Sequence, residues 1–271
     1  MTTTFDFNDG AGPVPAQRHR NPDGSEGGWV ANTAHAADTA HVGPEACVFD
    51  YARVYDQARV YDRAKVYDWA QIYGGAEVYD GARVHSEAHV FDQASVYGQA
   101  RVWAQVRGQA QVYDYAEVWG QAQVYGEAQV CGSARVFGCT KVFGRARVFG
   151  EARVWGWTQT YGDAQVSDQA RLFGRARVFG RATITCRVSS DCTKTPLVIT
   201  GLGPRVVICD STLEVEGVAT LADAFSRKYP KLLEVQEYIW CIARSHFVSS
   251  PQQESLLQQV FDEEDPLTLM E

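Results

Sequence analysis

The sequence predicts an all-β solenoid, and three observations carry that prediction. First, a six-residue unit repeats along most of the chain: Ala, any residue, an aliphatic residue, an aromatic residue, Asp or Gly, and any residue. Second, the aliphatic positions keep this period from Val48 to Val96 and again from Val112 to Val154. Third, Asp and Gly recur at the fifth position, and both tolerate the positive φ of tight corners. A fixed internal period indicates similar structural units that stack on one another.

Each unit predicts one short strand followed by one corner. Side chains alternate across a strand, so the Ala and the aliphatic residue point to one side and the other two residues to the opposite side. The next two residues turn the chain. An inward pair as small as Ala and Val fills only a narrow core, so we expect the chain to close after three strands. Successive coils then stack about 4.8 Å apart through parallel hydrogen bonds.

Three strands per coil give three outer faces, each with a column of mostly aromatic side chains. The count gives about eight regular coils from Val48 and an imperfect one around Val30, Ala36 and Val42. Face one carries Phe49, Tyr67, His85, Trp103, Trp119, Phe137, Trp155 and Phe173. Face two carries Tyr55, Tyr73, Phe91, Arg107, Tyr125, Phe143, Tyr161 and Phe179. Face three carries Tyr61, Tyr79, Tyr97, Tyr113, Cys131, Phe149, Ser167 and Thr185.

This repeat resembles that of the hexapeptide-repeat proteins, and the resemblance covers roughly residues 28–186. The resemblance implies a left-handed parallel β-helix that assembles as a homotrimer. The chain departs from the family's common form by placing Tyr, Phe or Trp where a Gly often follows the aliphatic residue. The segments Asn21–Val30 and Thr195–Leu202 also resemble the flanks of uncharacterised bacterial and phage members.

We divide the chain into three parts: a polar N-terminal segment (1–27), the β-helix (28–188) and a small α+β C-terminal capping region (189–271). A solenoid exposes an apolar last coil, so a terminal cap is expected. The expected elements of the capping region are the strands Leu197–Thr200, Arg205–Cys209 and Thr212–Glu216 and the helices Leu221–Tyr229 and Leu232–Phe247.

Composition argues against several classes of protein. Mean hydropathy is -0.27, and no apolar run approaches the roughly 18 residues of a membrane span. The N-terminus lacks the apolar core of a signal peptide, and the seven cysteines lack Cys-x-x-Cys spacing. We therefore expect reduced thiols, no metal site, no cofactor and a cytoplasmic location, which is the host cytoplasm if a phage encodes the chain. A net charge of -8 argues against a protein that coats duplex nucleic acid.

The largest break in the repeat lies between Val102 and Val106, which are four residues apart instead of six. One corner has therefore lost two residues, and the residue count places Trp103 over His85, Arg101 over Arg83, Gln105 over His89 and Arg107 over Phe91. Natural sequences tend to break their own rule at functional or strained places, so we expect a ligand site here. The alternative is a neutral deletion in a robust solenoid. The predicted ligand-binding residues are Arg83, His85, His89, Arg101, Trp103, Gln105, Arg107, Trp119, Arg135, Arg153 and Trp155.

Four members of this set, Arg83, Arg101, Arg135 and Arg153, belong to a basic column on face one. Rings and guanidinium groups together suit a planar anion, because rings stack and guanidinium groups take phosphate. Ring columns also have a purely structural interpretation. Stacked cross-strand neighbours stabilise a sheet by roughly 0.2–1 kcal/mol per pair without any ligand.

Three functions stay open. A rigid trimer could bind and sequester a small anionic, nucleotide-like ligand, and the architecture alone resembles phage sponges that capture cyclic or other nucleotide immune signals. Extreme regularity also suits a structural scaffold or virion-associated rod. Many family members are acyl-CoA-dependent acyltransferases with a His base, a role open to His85 or His89. Those enzymes usually carry a long protruding loop that this repeat lacks, so we rank binding first, scaffold second and acyl transfer third, and we assign no catalytic residue.

Overall fold

The parallel solenoid predicted from the repeat is confirmed. The computed structural model describes residues 3–174 and 176–185, together with the strands Arg187–Ser189 and Val198–Gly201. Beyond the N-terminal hairpin, the described strands are mostly two residues long and pair in parallel with the strand one coil away. Among the described residues, no helix has the length and apolar character needed to cross a membrane.

The strands form the three expected faces. Face one comprises Glu26–Ala31, Cys47–Val48, Lys65–Val66, Arg83–Val84, the first halves of Arg101–Val106 and Glu117–Val124, Arg135–Val136, Arg153–Val154, Arg171–Phe173 and Arg187–Ser189. Face two comprises His35–Ala36, Arg53–Val54, Gln71–Ile72, His89–Val90, the second halves of the two long strands, Lys141–Val142, Gln159–Thr160, Arg177–Gly180 and Val198–Gly201. Face three comprises His41–Val42, Arg59–Val60, Glu77–Val78, Ser95–Val96, Gln111–Val112, Gln129–Val130, Arg147–Val148, Gln165–Val166 and Thr183–Ile184.

The core is a narrow file of small side chains, as the inward Ala and Val positions predict. These positions are buried from Ala40 to Ile184. Thr140 and Thr158 replace Ala, and Thr160 replaces Val, and all three are buried as well. The Thr140 and Thr158 hydroxyls lie 3.1 Å apart and hydrogen-bond across the coils. Side chains of this size let three strands close around the axis.

The corners turn at a residue with positive φ. Asp68 has a φ of 57° and Gly126 a φ of 73°, and the same pattern recurs along the chain. A corner Asp has a second role, since its carboxylate accepts a hydrogen bond from the backbone of the corner one coil further on. Asp80 accepts from the Gly98 N–H at 3.1 Å in this way. The corner aspartates therefore tie neighbouring coils together outside the strands.

The outward rings stack along each face. On face one, the stack runs without interruption from Phe7 to Phe173, with centroid separations of 4.4 to 5.6 Å. Most ring faces in this column are thus covered by the ring above and the ring below. A planar ligand finds a free ring face only where a column ends or is interrupted, which restricts where rings can take part in binding.

The segment 1–27, which looks merely polar in sequence, contributes two antiparallel strands. Thr4–Phe5 pairs with Val14–Arg20, which in turn pairs with Glu26–Ala31 on face one. Phe7 is buried and stacks on Phe49 with centroids 4.7 Å apart. This hairpin therefore packs its aromatic side chains against the first coils.

At the other end, face two continues beyond residue 188. Val198–Gly201 pairs in parallel with Arg177–Gly180, and it overlaps the strand expected at Leu197–Thr200. The other expected strands and both expected helices of the capping region lie outside the described residues.

Candidate functional site

The shortened corner lies between face one and face two. The chain passes through it as one continuous strand, Arg101–Val106, without the two turn residues of the other corners. Trp103 pairs with Trp119, whereas Gln105 pairs with Gln123, so the register shifts by two residues between these pairs. The edge of the solenoid between face one and face two therefore has a notch at this coil.

A cleft of about 830 Å³ occupies this notch and is called the corner cleft below. It is open to solvent and is formed within one chain. Its lining reaches from Asp68 to Lys141. These residues are roughly four coil steps apart, or about 19 Å along the axis at the usual strand spacing. The cleft is thus long enough for a molecule of several rings or a ring with an extended polar group.

Three of the residues predicted from sequence line the corner cleft: His89, Trp103 and Gln105. Gln105 pairs with His89 in register, as the repeat count predicts. The Trp103 ring lies 4.8 Å from that of His85, with a tilt of 31° between the planes. The predicted neighbours of the shortened corner are therefore neighbours in the structure.

Arg83, Arg101 and Arg107 lie beside the cleft rather than in its lining. Arg83 and Arg101 are the first residues of their face-one strands and pair with each other in register. Arg107 lies on face two, where its guanidinium carbon is 4.5 Å from the centroid of the Tyr125 ring. These cations lie on the two faces that meet at the shortened corner, outside the residues that line the cleft.

The remaining predicted residues continue along face one and do not line the cleft. Trp119 stacks on Trp103 with centroids 5.5 Å apart. Arg135 pairs in register with Arg153, and Trp155 stacks on Phe137 further along the column. The basic column is also partly neutralised, because Glu117 lies 3.2 Å from Arg135 and 3.8 Å from Arg101.

His85 is the histidine of the face-one stack, where its ring lies between those of Tyr67 and Trp103. Its Nδ1 lies 3.0 Å from Ser86 Oγ and 3.8 Å from Asp68 Oδ2. Burial lowers the pKa of the His85 imidazole below its ordinary value; Asp68 opposes this shift, while Arg101 and Arg83 reinforce it. The imidazole is therefore neutral near pH 7 and can exchange a hydrogen bond with the Ser86 hydroxyl at the edge of the cleft.

Sequence reasoning missed Trp69, which forms the wall of the cleft on the N-terminal side of the shortened corner. Trp69 lines the cleft with 60% of its surface exposed. Among the described residues its stacking partner is Tyr51, at a centroid distance of 5.6 Å. The next residue of this corner column is Glu87, which has no ring. Trp69 therefore offers the cleft an indole face that the column leaves open. The signal was present in the sequence as the order Tyr51, Trp69, Glu87.

The charges of the corner cleft are separated along its length. Asp68 and Glu87 lie at the Trp69 end, and Lys141 lies at the opposite end. Amide side chains occupy the region between them, where Gln123 Nε2 donates to Gln105 Oε1 at 3.4 Å. A ligand in this cleft would find acceptors at one end, a cation at the other and amides between.

Comparison with known proteins does not assign a family. No family model and no curated protein matches the chain. Among solved structures, the chain is similar to the UDP-N-acetylglucosamine O-acyltransferase LpxA from Moraxella catarrhalis RH4, at 13% sequence identity, 89% coverage of this chain, 92% coverage of that chain and a TM-score of 0.28. Among the described residues, no group of three or more His, Cys, Asp or Glu could hold a metal ion. The function is therefore inferred from the residues of this chain.

Proposed function

We propose that the protein binds a small ring-bearing anionic molecule, such as a nucleotide, in the corner cleft and holds it without turnover. The observation that carries the proposal is the cleft of about 830 Å³ at the corner that lost two residues. Small-molecule sites in proteins commonly have volumes of roughly 300–1,000 Å³. The missing corner residues open this cavity whatever the origin of the break, so the chemistry of the lining residues is what favours a functional origin over a neutral one.

The lining chemistry suits a nucleobase joined to an anionic group. An exposed indole such as that of Trp69 stacks on any base, for about 1–3 kcal/mol per base. Carboxylates accept from amino groups of bases, and glutamine amides bond to base edges, so Asp68, Gln105 and Gln123 offer complementary partners. Lys141 supplies a charge for phosphate at the other end.

Retention needs a preorganised site more than a reactive one. The strand Arg101–Val106 is hydrogen-bonded to a strand on either side, at His89–Val90 and at Glu117–Val124. Ladder bonds on both sides hold Trp103 and Gln105 in place before any ligand arrives. Rigid complementarity of this kind raises affinity by reducing the ordering cost of binding, and sequestration requires nothing further.

The sharpest test restores the missing corner. Inserting Gly-Gln between Trp103 and Ala104 recreates the Trp-Gly-Gln-Ala sequence of residues 119–122 one coil further on. The insertion completes the hexapeptide period and fills the notch, so we expect the variant to fold with undiminished thermal stability and to lose binding. The measurement is the thermal shift with a panel of cyclic mono-, di- and oligonucleotides. Wild-type protein should gain about 2.7 kcal/mol at 100 times the dissociation constant.

Two tryptophans of equal exposure provide a matched pair for the stacking role. Trp69 and Trp157 are each 60% exposed at corners between face one and face two, but Trp69 alone of the two lines the cleft. Trp69→Ala should weaken nucleotide binding roughly 5- to 150-fold, the equivalent of one stacked base. Trp157→Ala should leave the affinity unchanged. Equal effects of the two variants would contradict stacking in the cleft.

Heating the purified protein and analysing the released material by mass spectrometry would identify a captured ligand. An intact nucleotide supports retention without turnover, and a cleaved or acylated product contradicts it. If no ligand is released and no nucleotide of the panel binds, the binding proposal fails and the structural scaffold becomes the better interpretation.

A second candidate function is acyl transfer, which the environment of His85 favours. Its imidazole has a lowered pKa, and its Nδ1 lies 3.0 Å from Ser86 Oγ at the cleft edge. A neutral imidazole in contact with a hydroxyl is the arrangement that general-base catalysis requires. Consumption of acyl-CoA by wild-type protein that is lost in His85→Gln would support this function over retention.

A further inference from the structure

The column of rings on face two has a gap at Arg107. Tyr73 stacks on Phe91 at 4.8 Å before the gap, and Tyr125 stacks on Phe143 at 4.9 Å after it. Arg107 fills the gap with its guanidinium carbon 4.5 Å from the centroid of the Tyr125 ring. An aromatic residue at this position would continue the stack, so the packing of the column does not require a cation here.

No carboxylate among the described residues forms a salt bridge with Arg107. Within the described part of the chain, the arginine salt bridges involve Arg18, Arg59, Arg101, Arg135 and Arg145, and none includes Arg107. The side chain is half-buried. A stacked guanidinium keeps its planar edge of N–H donors available while its face rests on the ring. The contact with Tyr125 therefore orients the Arg107 guanidinium, and within the described residues its N–H donors take part in no salt bridge.

The position of Arg107 connects it to the corner cleft. Arg107 follows Gln105 by two residues on the same outer side, which places their backbones about 6.6 Å apart. Its contact with Tyr125 carries the guanidinium toward the next coil, where Gln123 lines the cleft. Lys141 pairs in register with Gln123 one coil further on and also lines the cleft. Lys141 thus lies at the end opposite the two carboxylates, and Arg107 lies outside the lining, in the coil of the shortened corner.

We infer that Arg107 holds the anionic group of the ligand, with Lys141 as the second cation, and that this pair orients the ligand with its ring toward Trp69. The inference rests on the proposed function, since it assigns one end of the same cleft. A guanidinium edge binds a phosphate through two parallel hydrogen bonds, which an ammonium group cannot reproduce. Arg107 therefore specifies phosphate, whereas Trp69 accepts any flat ring.

The test uses Arg107→Tyr, which completes the ring column and removes the charge. This variant should fold with the same or higher thermal stability. Its affinity for cyclic AMP and cyclic GMP should fall about 10- to 100-fold, while its affinity for the phosphate-free probes adenosine and guanosine should not change. Arg107→Lys should show an intermediate loss for the nucleotides. Arg147→Gln is the control, because Arg147 lies over Phe149 on face three and away from the cleft.

The outcomes separate the two proposals. If wild-type protein binds neither the nucleotides nor the nucleosides, the proposed function itself fails. If wild-type protein binds them and Arg107→Tyr binds the nucleotides equally well, the assignment of Arg107 is overturned and the binding function stands. An equal loss for nucleotides and nucleosides would also overturn it, because that result indicates a change in the shape of the cleft rather than the loss of a phosphate contact.

Discussion

Ser86 donates its backbone N–H to Oδ2 of Asp68 at 2.9 Å, and this bond ends a ladder of corner contacts at the edge of the cleft. Ser86 has a φ of 55°, like the corner aspartates, but it carries no carboxylate. The corner one coil further on has lost its two turn residues, so it presents no matching backbone N–H to a side chain at position 86. An aspartate at position 86 would lack the backbone partner that Asp68 has, and the serine avoids placing such a carboxylate beside Asp68.

Asp68→Ala should lower the free energy of unfolding by about 1–3 kcal/mol. The substitution removes a charged acceptor and places an alanine at a φ of 57°, where a Cβ is unfavourable. The measurement is the midpoint of urea denaturation. Asp68→Asn is the matched control, because asparagine keeps an acceptor oxygen and tolerates positive φ, so its loss should be clearly smaller. Equal midpoints for the alanine variant and wild type would contradict the role of the corner ladder.

Thr160→Val should raise the free energy of unfolding by about 1 kcal/mol. Thr160 Oγ1 is buried and has no hydrogen-bond partner among the described residues. Valine has nearly the same shape and removes an unsatisfied polar atom from an apolar core.

Thr158→Val makes the corresponding control, because the Thr158 hydroxyl does have a partner, Thr140, at 3.1 Å. Its removal should lower stability by about 0.5–1.5 kcal/mol. Thermal unfolding of the two variants should therefore move in opposite directions. A destabilised Thr160→Val would show that its hydroxyl is satisfied in solution.

The repeat allowed the coil, the faces and the neighbours of the shortened corner to be predicted, because each depends on counting residues. Trp103 meets His85 since the aliphatic period fixes which residues share a column. The wall at Trp69 was missed because its importance comes from an absence, namely that Glu87 offers no ring above it. The inward-packed Phe7 was missed because residues 1–27 have no period, and their packing depends on tertiary contacts with Phe49.

The extent of the cleft was also beyond sequence reasoning. Lys141 lies far along the chain from the break, yet it lines the same cavity because the coils stack along one axis. Likewise, the aromatic columns look in sequence like platforms for planar ligands. The structure shows that neighbouring rings cover most of those faces. The places where a ring column ends or is interrupted are therefore the candidates for ligand contact, namely Trp69 and the gap at Arg107.

Protonation of His85 should destabilise the fold at mildly acidic pH. Burial lowers the pKa of His85, so the unfolded chain binds a proton more readily than the folded one. The sign follows from proton linkage: the stability contributed by the neutral ring is complete above the ordinary histidine pKa of about 6.5, and it is lost as pH falls from there toward the lowered folded value.

His85→Phe isolates this effect, because phenylalanine keeps a ring between Tyr67 and Trp103 and cannot be protonated. The measurement is the free energy of unfolding of both proteins between pH 5 and pH 8. The difference between them should be constant above about pH 6.5 and should shift in favour of the variant below it. A difference that does not change with pH would mean that folding leaves the His85 pKa unaltered.

We expect the protein to form a homotrimer, and light scattering should then give a mass of about 90 kDa from three chains of 30.0 kDa. Tyr115 is 68% exposed at a corner between face three and face one, where a monomer would leave its ring in water. The proposed binding function requires the corner between face one and face two to stay open, so we expect the interface to use the Tyr115 corner. Tyr115→Ser should therefore lower the mass at micromolar concentration, whereas Trp157→Ser, at the cleft corner with 60% exposure, should not. A wild-type mass near that of one chain would contradict the homotrimer. A lower mass for Trp157→Ser but not for Tyr115→Ser would instead place the subunit contact at the corner between face one and face two.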